Sequence, residues 1–117
     1  MKEVKFNFPL MREVERMKRS LKKDHVLFVR LGDFYEAFGE DATVAAPILG
    51  VCMTMRGGVP MCGFPCHSIN GYLAKMVRCG KSVALAERGA LAERGDDGKW
   101  YITRLITPGT AGEEEAT

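Results

Sequence analysis

Val26-Leu27-Phe28-Val29-Arg30-Leu31, followed at once by Gly32-Asp33-Phe34-Tyr35-Glu36-Ala37-Phe38, is the most informative segment of the chain. Its first part is an apolar run rich in β-branched and aromatic residues, the pattern of a buried strand. If the strand continues to about Glu36, its side chains alternate between faces, so Phe34 and Glu36 point one way and Tyr35 the other. One face then carries a flat apolar ring beside a hydrogen-bond acceptor. That pairing suits entry into a base stack at a weak step and a test of the base edge found there, because unstacking costs least where pairing is already poor. The same string also fits a strand end whose rings lie in the core, and the residues alone leave both readings open.

Working outward, Pro9 suits the first turn of a helix, and Leu10, Val14, Met17 and Leu21 follow at helical spacing as one apolar stripe. Arg12, Arg16, Arg19 and Lys23 fall on its other faces, and Asp24 marks the break before the strand. Glu40 and Asp41 place acids at the start of a second helix, with Ala42, Ala45, Ala46 and Leu49 available to pack and Gly50 closing it. Val51 to Met55 and Val59 to Phe64 read as a hairpin turned by Arg56-Gly57-Gly58. Ser68 is placed to cap a helix carrying Ile69, Leu73, Met76 and Val77, which Gly80 can end in a left-handed turn. Ser82 to Ala86 is a buried-looking strand, and Lys99 to Thr107 alternates around Trp100, Ile102, Arg104 and Ile106. Ala90 to Gly98 reads as a polar loop, Pro108-Gly109 stop the last strand, and residues 111–117 read as a flexible acidic tail. The expected architecture is α+β with α/β-like layers: one mixed sheet of about five strands packed with about three helices, in the order α-β-α-β-β-α-β-β.

The chain has 117 residues, 46% of them hydrophobic and 27% charged, the balance of a folded domain. A single domain of this size buries roughly two-thirds of the surface its unfolded chain exposes, so a disulfide scaffold is unnecessary. No apolar run reaches the roughly 18 residues that a membrane span needs, and no secretory signal precedes the fold. A cytoplasmic location, nucleoid-associated in a bacterium, and no membrane partner are therefore expected. The formal net charge is only +2, but residues 1–31 hold nine Lys/Arg against four Asp/Glu. This N-terminal third is a candidate for phosphate contact, and equally an exposed charged helix face.

Catalytic constellations are weak. Cys62, Cys66 and His67 form one loose hook where zinc needs four convergent ligands, and reduced thiols are common small apolar residues. Cys66-His67 as nucleophile and base lacks an orienting third group. Cys79-Gly80-Lys81-Ser82 resembles the end of a phosphate-binding loop, but Lys75 stands where the motif requires glycine, and the segment leads from helix to strand. No metal or other cofactor is expected, and no enzymatic activity.

Several motifs in register carry a resemblance. Phe28-Val29-Arg30-Leu31-Gly32-Asp33-Phe34-Tyr35-Glu36-Ala37-Phe38, Met53-Thr54-Met55-Arg56-Gly57, Pro60-Met61-Cys62-Gly63-Phe64-Pro65-Cys66-His67 and Tyr72-Leu73-Ala74-Lys75-Met76-Val77 resemble the N-terminal mismatch-recognition domain of the MutS family. Val83 to Arg88 and Arg104 to Thr110 continue it, so the resemblance covers roughly residues 8 to 110 and implies one domain over residues 1–110.

The resemblance implies that Phe34 is the aromatic wedge stacking on a mispaired or unpaired base from the minor groove. Glu36 is then the acid that hydrogen-bonds this base, and Leu31 lies against the DNA. Arg56, His67 and Lys75 are candidates for contacts to the DNA backbone, and each also reads as an ordinary exposed residue. The implied partners are double-stranded DNA with mispaired or unpaired bases and other mismatch repair proteins. Family members continue into connector, lever, clamp and ATPase domains, whereas this sequence ends without a nucleotide motif, so ATP hydrolysis is not expected of it. It departs from the family's pattern at Arg88, where Gln is usual, in the absence of an Asp-Pro from the loop after Gly89, and at Cys62 and Cys66. The competing expectation is a protein-interaction module that retains the fold without binding DNA.

Overall fold

A computed structural model describes residues 2–89 and 98–109, with side chains described from Pro9 onward. In chain order the elements are α1 (Lys2–Arg19), β1 (His25–Leu31), β2 (Phe34–Phe38), α2 (Glu40–Leu49), β3 (Thr54–Arg56), β4 (Val59–Pro65), a short 3-10 turn (Cys66–Ser68), α3 (Ile69–Arg78), β5 (Ser82–Arg88) and β6 (Trp100–Ile106). The strands form one mixed sheet in the order β3-β4-β2-β1-β5-β6. β1 and β5 are parallel, and every other pair is antiparallel. This is the expected α+β architecture, with one more strand than the sequence suggested.

Alternation distributes the core. Val26 and Phe28 of β1, Tyr35 and Ala37 of β2, Cys62 and Phe64 of β4, and Val83 and Leu85 of β5 face α2 and α3. Leu27, Val29, Phe38, Ala84 and Ala86 face Val14 and Met17 of α1 on the opposite side. Because helices cover both faces of β1 and β5, these two parallel strands read as continuous apolar runs and not as alternating ones. The alanines on β5 keep the surface under α1 flat enough for Met17, 1% exposed, to settle on it.

Five expectations change. The strand expected to run on to Glu36 reverses at Gly32-Asp33: β1 and β2 form a tight hairpin with Leu31 opposite Phe34. Gly32 takes φ +62°, which glycine adopts without the Cβ clash, and positive φ in a two-residue loop matches the right-handed twist of the flanking strands. The first helix starts before Pro9, which lies inside α1 and removes one backbone hydrogen bond there. In β6 a bulge opposite Leu85/Ala86 splits the expected alternation. Trp100 and Ile102 pack on the α1 side while Ile106 joins the α2–α3 side, because one extra residue flips all that follow. Ser68 makes no side-chain cap to α3; its hydroxyl lies 3.2 Å from His67 Nδ1. The hairpin strand expected from Val51 begins at Thr54, whereas Gly50 and Gly80 end their helices at φ +73° and +76° as the sequence suggested. The acidic tail and residues 90–97 of the expected loop lie outside the described residues.

One polar clasp ties the layers together. Lys18 Nζ at the end of α1 lies 2.9 Å from Asp41 Oδ2 in the first turn of α2 and donates to the His25 carbonyl at 2.6 Å. Asp41 Oδ2 also accepts the Leu27 amide at 3.0 Å. Helices on opposite faces of the sheet are thus joined around the start of β1. Asp41→Ala leaves the half-buried Lys18 ammonium without its counter-ion, with the His25 carbonyl still accepting from it, and the Leu27 N–H without its acceptor, and should cost about 2–3 kcal/mol. Asp41→Asn, which can still accept from Leu27, should cost less; the order of the urea unfolding midpoints checks this.

Candidate nucleic-acid interface

Exposure along β2 falls steadily from its tip inward on the α1 side. Phe34 is 45% exposed, Glu36 is half-buried and Phe38 is buried under α1. Phe34 sits between two cross-strand partners, Leu31 of β1 and Pro65 of β4. Among the described residues, Phe38 packs with α1 whereas Phe34 is outside that cluster, and its ring projects at the end of the face. Among the described residues the ring is one of four exposed large apolar side chains, with Met53, Met55 and Leu105, and the one aromatic among them.

Glu36 lies across Gly63, its β4 partner. A Cβ built on Gly63 would stand 2.6 Å from the Tyr35 carbonyl oxygen and 2.9 Å from Glu36 Cγ, so only glycine leaves a seat for the acid. Burial raises the Glu36 carboxyl above the ordinary carboxylate range, opposed in part by the nearby Arg56 guanidinium. The same burial, with the Glu36 charge adding to it, pushes the Cys62 thiol up to about 11.

The turn beside the ring is tied down by backbone bonds. Cys66 N–H donates to the Asp33 carbonyl at 2.7 Å, and Arg30 Nε donates to the Gly32 carbonyl at 3.1 Å. Arg30, Asp33, Phe34, Pro65, Cys66 and His67 line an open cleft around the hairpin tip. His67 is thereby placed beside Phe34, exposed on the 3-10 turn. Leu31 is half-buried on the other flank, where it lines a groove with Pro9, Leu10, Arg88 and Trp100. Arg56 projects from the edge strand β3, opposite Val59, which packs on the α1 side.

Lys75 is elsewhere. It belongs to α3, on the opposite layer from Phe34; its ammonium donates to the Leu49 carbonyl at 3.2 Å and lies 5.2 Å from the centre of the Tyr72 ring. Part of the basic N-terminal third is likewise engaged internally. Arg16 bonds Glu13 at 2.7 Å and the Trp100 carbonyl at 2.8 Å, and Lys18 holds the interlayer clasp. The four cysteines are free thiols, with Cys62 donating to the Ala42 carbonyl at 3.7 Å.

Sequence reasoning missed Gly63 and Arg30. A glycine inside a strand pattern signals close approach of a neighbour, which was the available hint for Gly63. Arg30 needed the turn at Gly32 to be recognised first.

A mixed sheet with helices on both faces, ending in a protruding ring with an acid seated behind it and guanidinium groups nearby, defines a small α+β domain. The chain belongs to the MutS domain I family, whose model matches residues 8–115. It is similar to the DNA mismatch repair protein MutS of Desulfitobacterium hafniense (strain Y51), with 49% identity over 87% of this chain and 12% of that protein. It is also similar to the DNA mismatch repair protein MutS of Treponema pallidum (strain Nichols), with 39% identity over 98% of this chain and 13% of that protein. The chain therefore spans only a small part of the length of these curated relatives.

Two outcomes follow from the seat of Glu36. Gly63→Ala should lower stability by about 1–3 kcal/mol, because the backbone oxygen in its way cannot swing aside; urea denaturation reads this directly. A carboxyl raised in the folded state binds its proton more tightly there than in the unfolded chain, so stability falls as pH rises through the window above the ordinary carboxylate value, and the cost persists at neutral pH. Glu36→Gln should accordingly raise the thermal midpoint at neutral pH, and the gain should shrink as the pH is lowered through that window.

Proposed function

We propose that this chain is the mismatch-recognition module of a DNA mismatch repair protein, in which Phe34 enters the minor groove and stacks on a mispaired or unpaired base while Glu36 hydrogen-bonds it. The observation that carries the reading is the exposed Phe34 ring beside the half-buried Glu36 on one face of the sheet. Membership of the MutS domain I family supports it.

The energetics favour defective duplex. Entering a base step costs a few kcal/mol of unstacking, and stacking on an aromatic ring returns about 1–3 kcal/mol, so insertion balances only where pairing and stacking are already weak. Glu36 sharpens the choice. Pressed against intact duplex, a carboxylate loses water and faces phosphates without gaining a partner; a displaced base offers it an N–H donor. In this reading His67, Arg30 and Arg56 meet backbone phosphates around the wedge, and Leu31 packs beside it. A single module of this kind buries roughly 600–1,000 Å² on DNA, which with a net charge of +2 gives weak, salt-sensitive binding.

Fluorescence anisotropy at low salt should show about tenfold tighter binding to a duplex carrying one unpaired thymine than to its matched counterpart, the equivalent of ~1.4 kcal/mol of stacking. Phe34→Ala should bring that ratio to about one with the fold intact. A ratio that survives Phe34→Ala, or a chain that shifts no DNA yet forms a stable complex with a protein, would overturn the reading.

A further inference from the structure

Between the wedge and the acid stands Tyr35, which points to the other side of the sheet. Its hydroxyl donates to Glu87 Oε2 at 3.0 Å. Glu87 belongs to β5, so in the strand order β2-β1-β5 this bond spans the whole width of β1 and joins the edge of the site to the central parallel pair. Beneath it the Tyr35 ring is 5.9 Å from Phe64, which stacks on Tyr72 of α3 at 4.8 Å and meets Phe28 edge-on at 5.2 Å. Burial, with the hydrogen bond to Glu87 and its charge adding, pushes the Tyr35 hydroxyl up to about 12, so it stays a donor throughout the ordinary pH range.

The tip of β2 has reason to need such a tie. Phe34 faces Pro65, which has no N–H to give to the ladder, and the turn before it is only two residues long. A ring driven into a base stack transmits its load to this tip. The two backbone-directed bonds at the turn, from Cys66 and Arg30, are local to it. The Tyr35–Glu87 bond anchors the same strand to the core two strands away.

We infer that Tyr35 and Glu87 are positioning residues for mismatch discrimination: their bond across β1 holds β2 so that Phe34 and Glu36 meet one displaced base together. This rests on the reading of Phe34 as the wedge. Stacking and the acid's hydrogen bond need placement within about 0.5 Å at the same time, whereas contacts between long cationic side chains and phosphates tolerate more play. Loosening the strand therefore weakens binding to mispaired DNA and spares binding to matched duplex.

The test uses the 117-residue chain with a fluorescein-labelled matched duplex and the same duplex with one unpaired thymine, at low salt. Tyr35→Phe keeps the ring and deletes the donor; it should cut the discrimination ratio about three- to fivefold while affinity for matched duplex stays within about twofold. Glu87→Ala should do the same, and the double variant should be no worse than either single one, as expected of two ends of one bond. Glu87→Gln, whose amide oxygen still accepts, should restore most of the ratio, an outcome that a general loss of stability would not give. With 2-aminopurine beside the unpaired thymine, Tyr35→Phe should also reduce the fluorescence change that accompanies insertion. A wild-type ratio in both Tyr35→Phe and Glu87→Ala, or equal losses on matched and mispaired DNA, would overturn the inference. Should Tyr35→Phe not fold, the comparison of Glu87→Gln with Glu87→Ala decides. Phe34→Ala is measured alongside: if it leaves the ratio intact, the wedge reading itself fails, whereas loss there with no effect at Tyr35 and Glu87 removes the positioning role alone.

Discussion

Burial of β1 and β5 from both sides governs how every other element is laid down. It requires a helix on each face, and it makes every residue of these strands choose a layer by its parity: Val26 and Phe28 toward α2 and α3, Leu27 and Val29 toward α1. The parallel pairing of β1 with β5 then requires a long crossover, which β2, α2, β3, β4 and α3 supply. β2 inherits its parity from β1 through the hairpin. Tyr35 and Ala37 are therefore committed to the α2–α3 core, and Phe34, Glu36 and Phe38 to the α1 side. Among the described residues Phe38 packs with α1 and Phe34 does not, so the exposed ring continues the parity of a core face out to the hairpin tip.

Patterns of short range were legible in the sequence. The α1 stripe, the small packing residues of α2, the helix-ending glycines and the shared face of Phe34 and Glu36 all follow from periods of 3.6 and 2 within one segment. The hairpin at Gly32-Asp33 was legible too, since Gly-Asp between two apolar runs is a turn signal, but continuous alternation reads equally well through it. What stayed hidden depends on partners far along the chain. The bulge in β6 is set by its fit against β5 and α1, and nothing local to Thr103 announces it. Asp41 looked like an acid at a helix start, yet its carboxylate is taken by Lys18 and by the Leu27 amide. Lys75 looked like any exposed cation until the fold placed it on the layer away from Phe34, against the end of α2.

The site is locally unfavourable, and each unfavourable element has an identifiable support. An exposed aromatic ring forfeits the burial that Phe28 and Phe64 obtain in the same sheet. Glu36 is partly desolvated at a point where glutamine or an apolar residue would be more comfortable. Gly63 contributes no packing and loses more conformational entropy than other residues would, but it is what lets the acid lie flat between β2 and β4. The stability that tolerates these choices comes from the two covered faces and from the Lys18–Asp41 clasp, all of it away from the hairpin tip.

This division of labour bears on how a single ring and a single carboxylate can discriminate. Neither has much to work with alone: stacking of about 1–3 kcal/mol is comparable to the unstacking it must offset. Under the function proposed above, discrimination would come from requiring both at once, since the ring would gain only if the step opens and the acid would be relieved only if the opened base presents a donor. Two simultaneous requirements are met only by a scaffold that does not yield. A flexible tip would let Phe34 insert while Glu36 stayed in water, and the penalty against intact duplex would vanish. On that reading rigidity is part of the selectivity itself, and β2 is paired on both sides, seated against Gly63 and tied through Tyr35 to β5, the strand beyond β1.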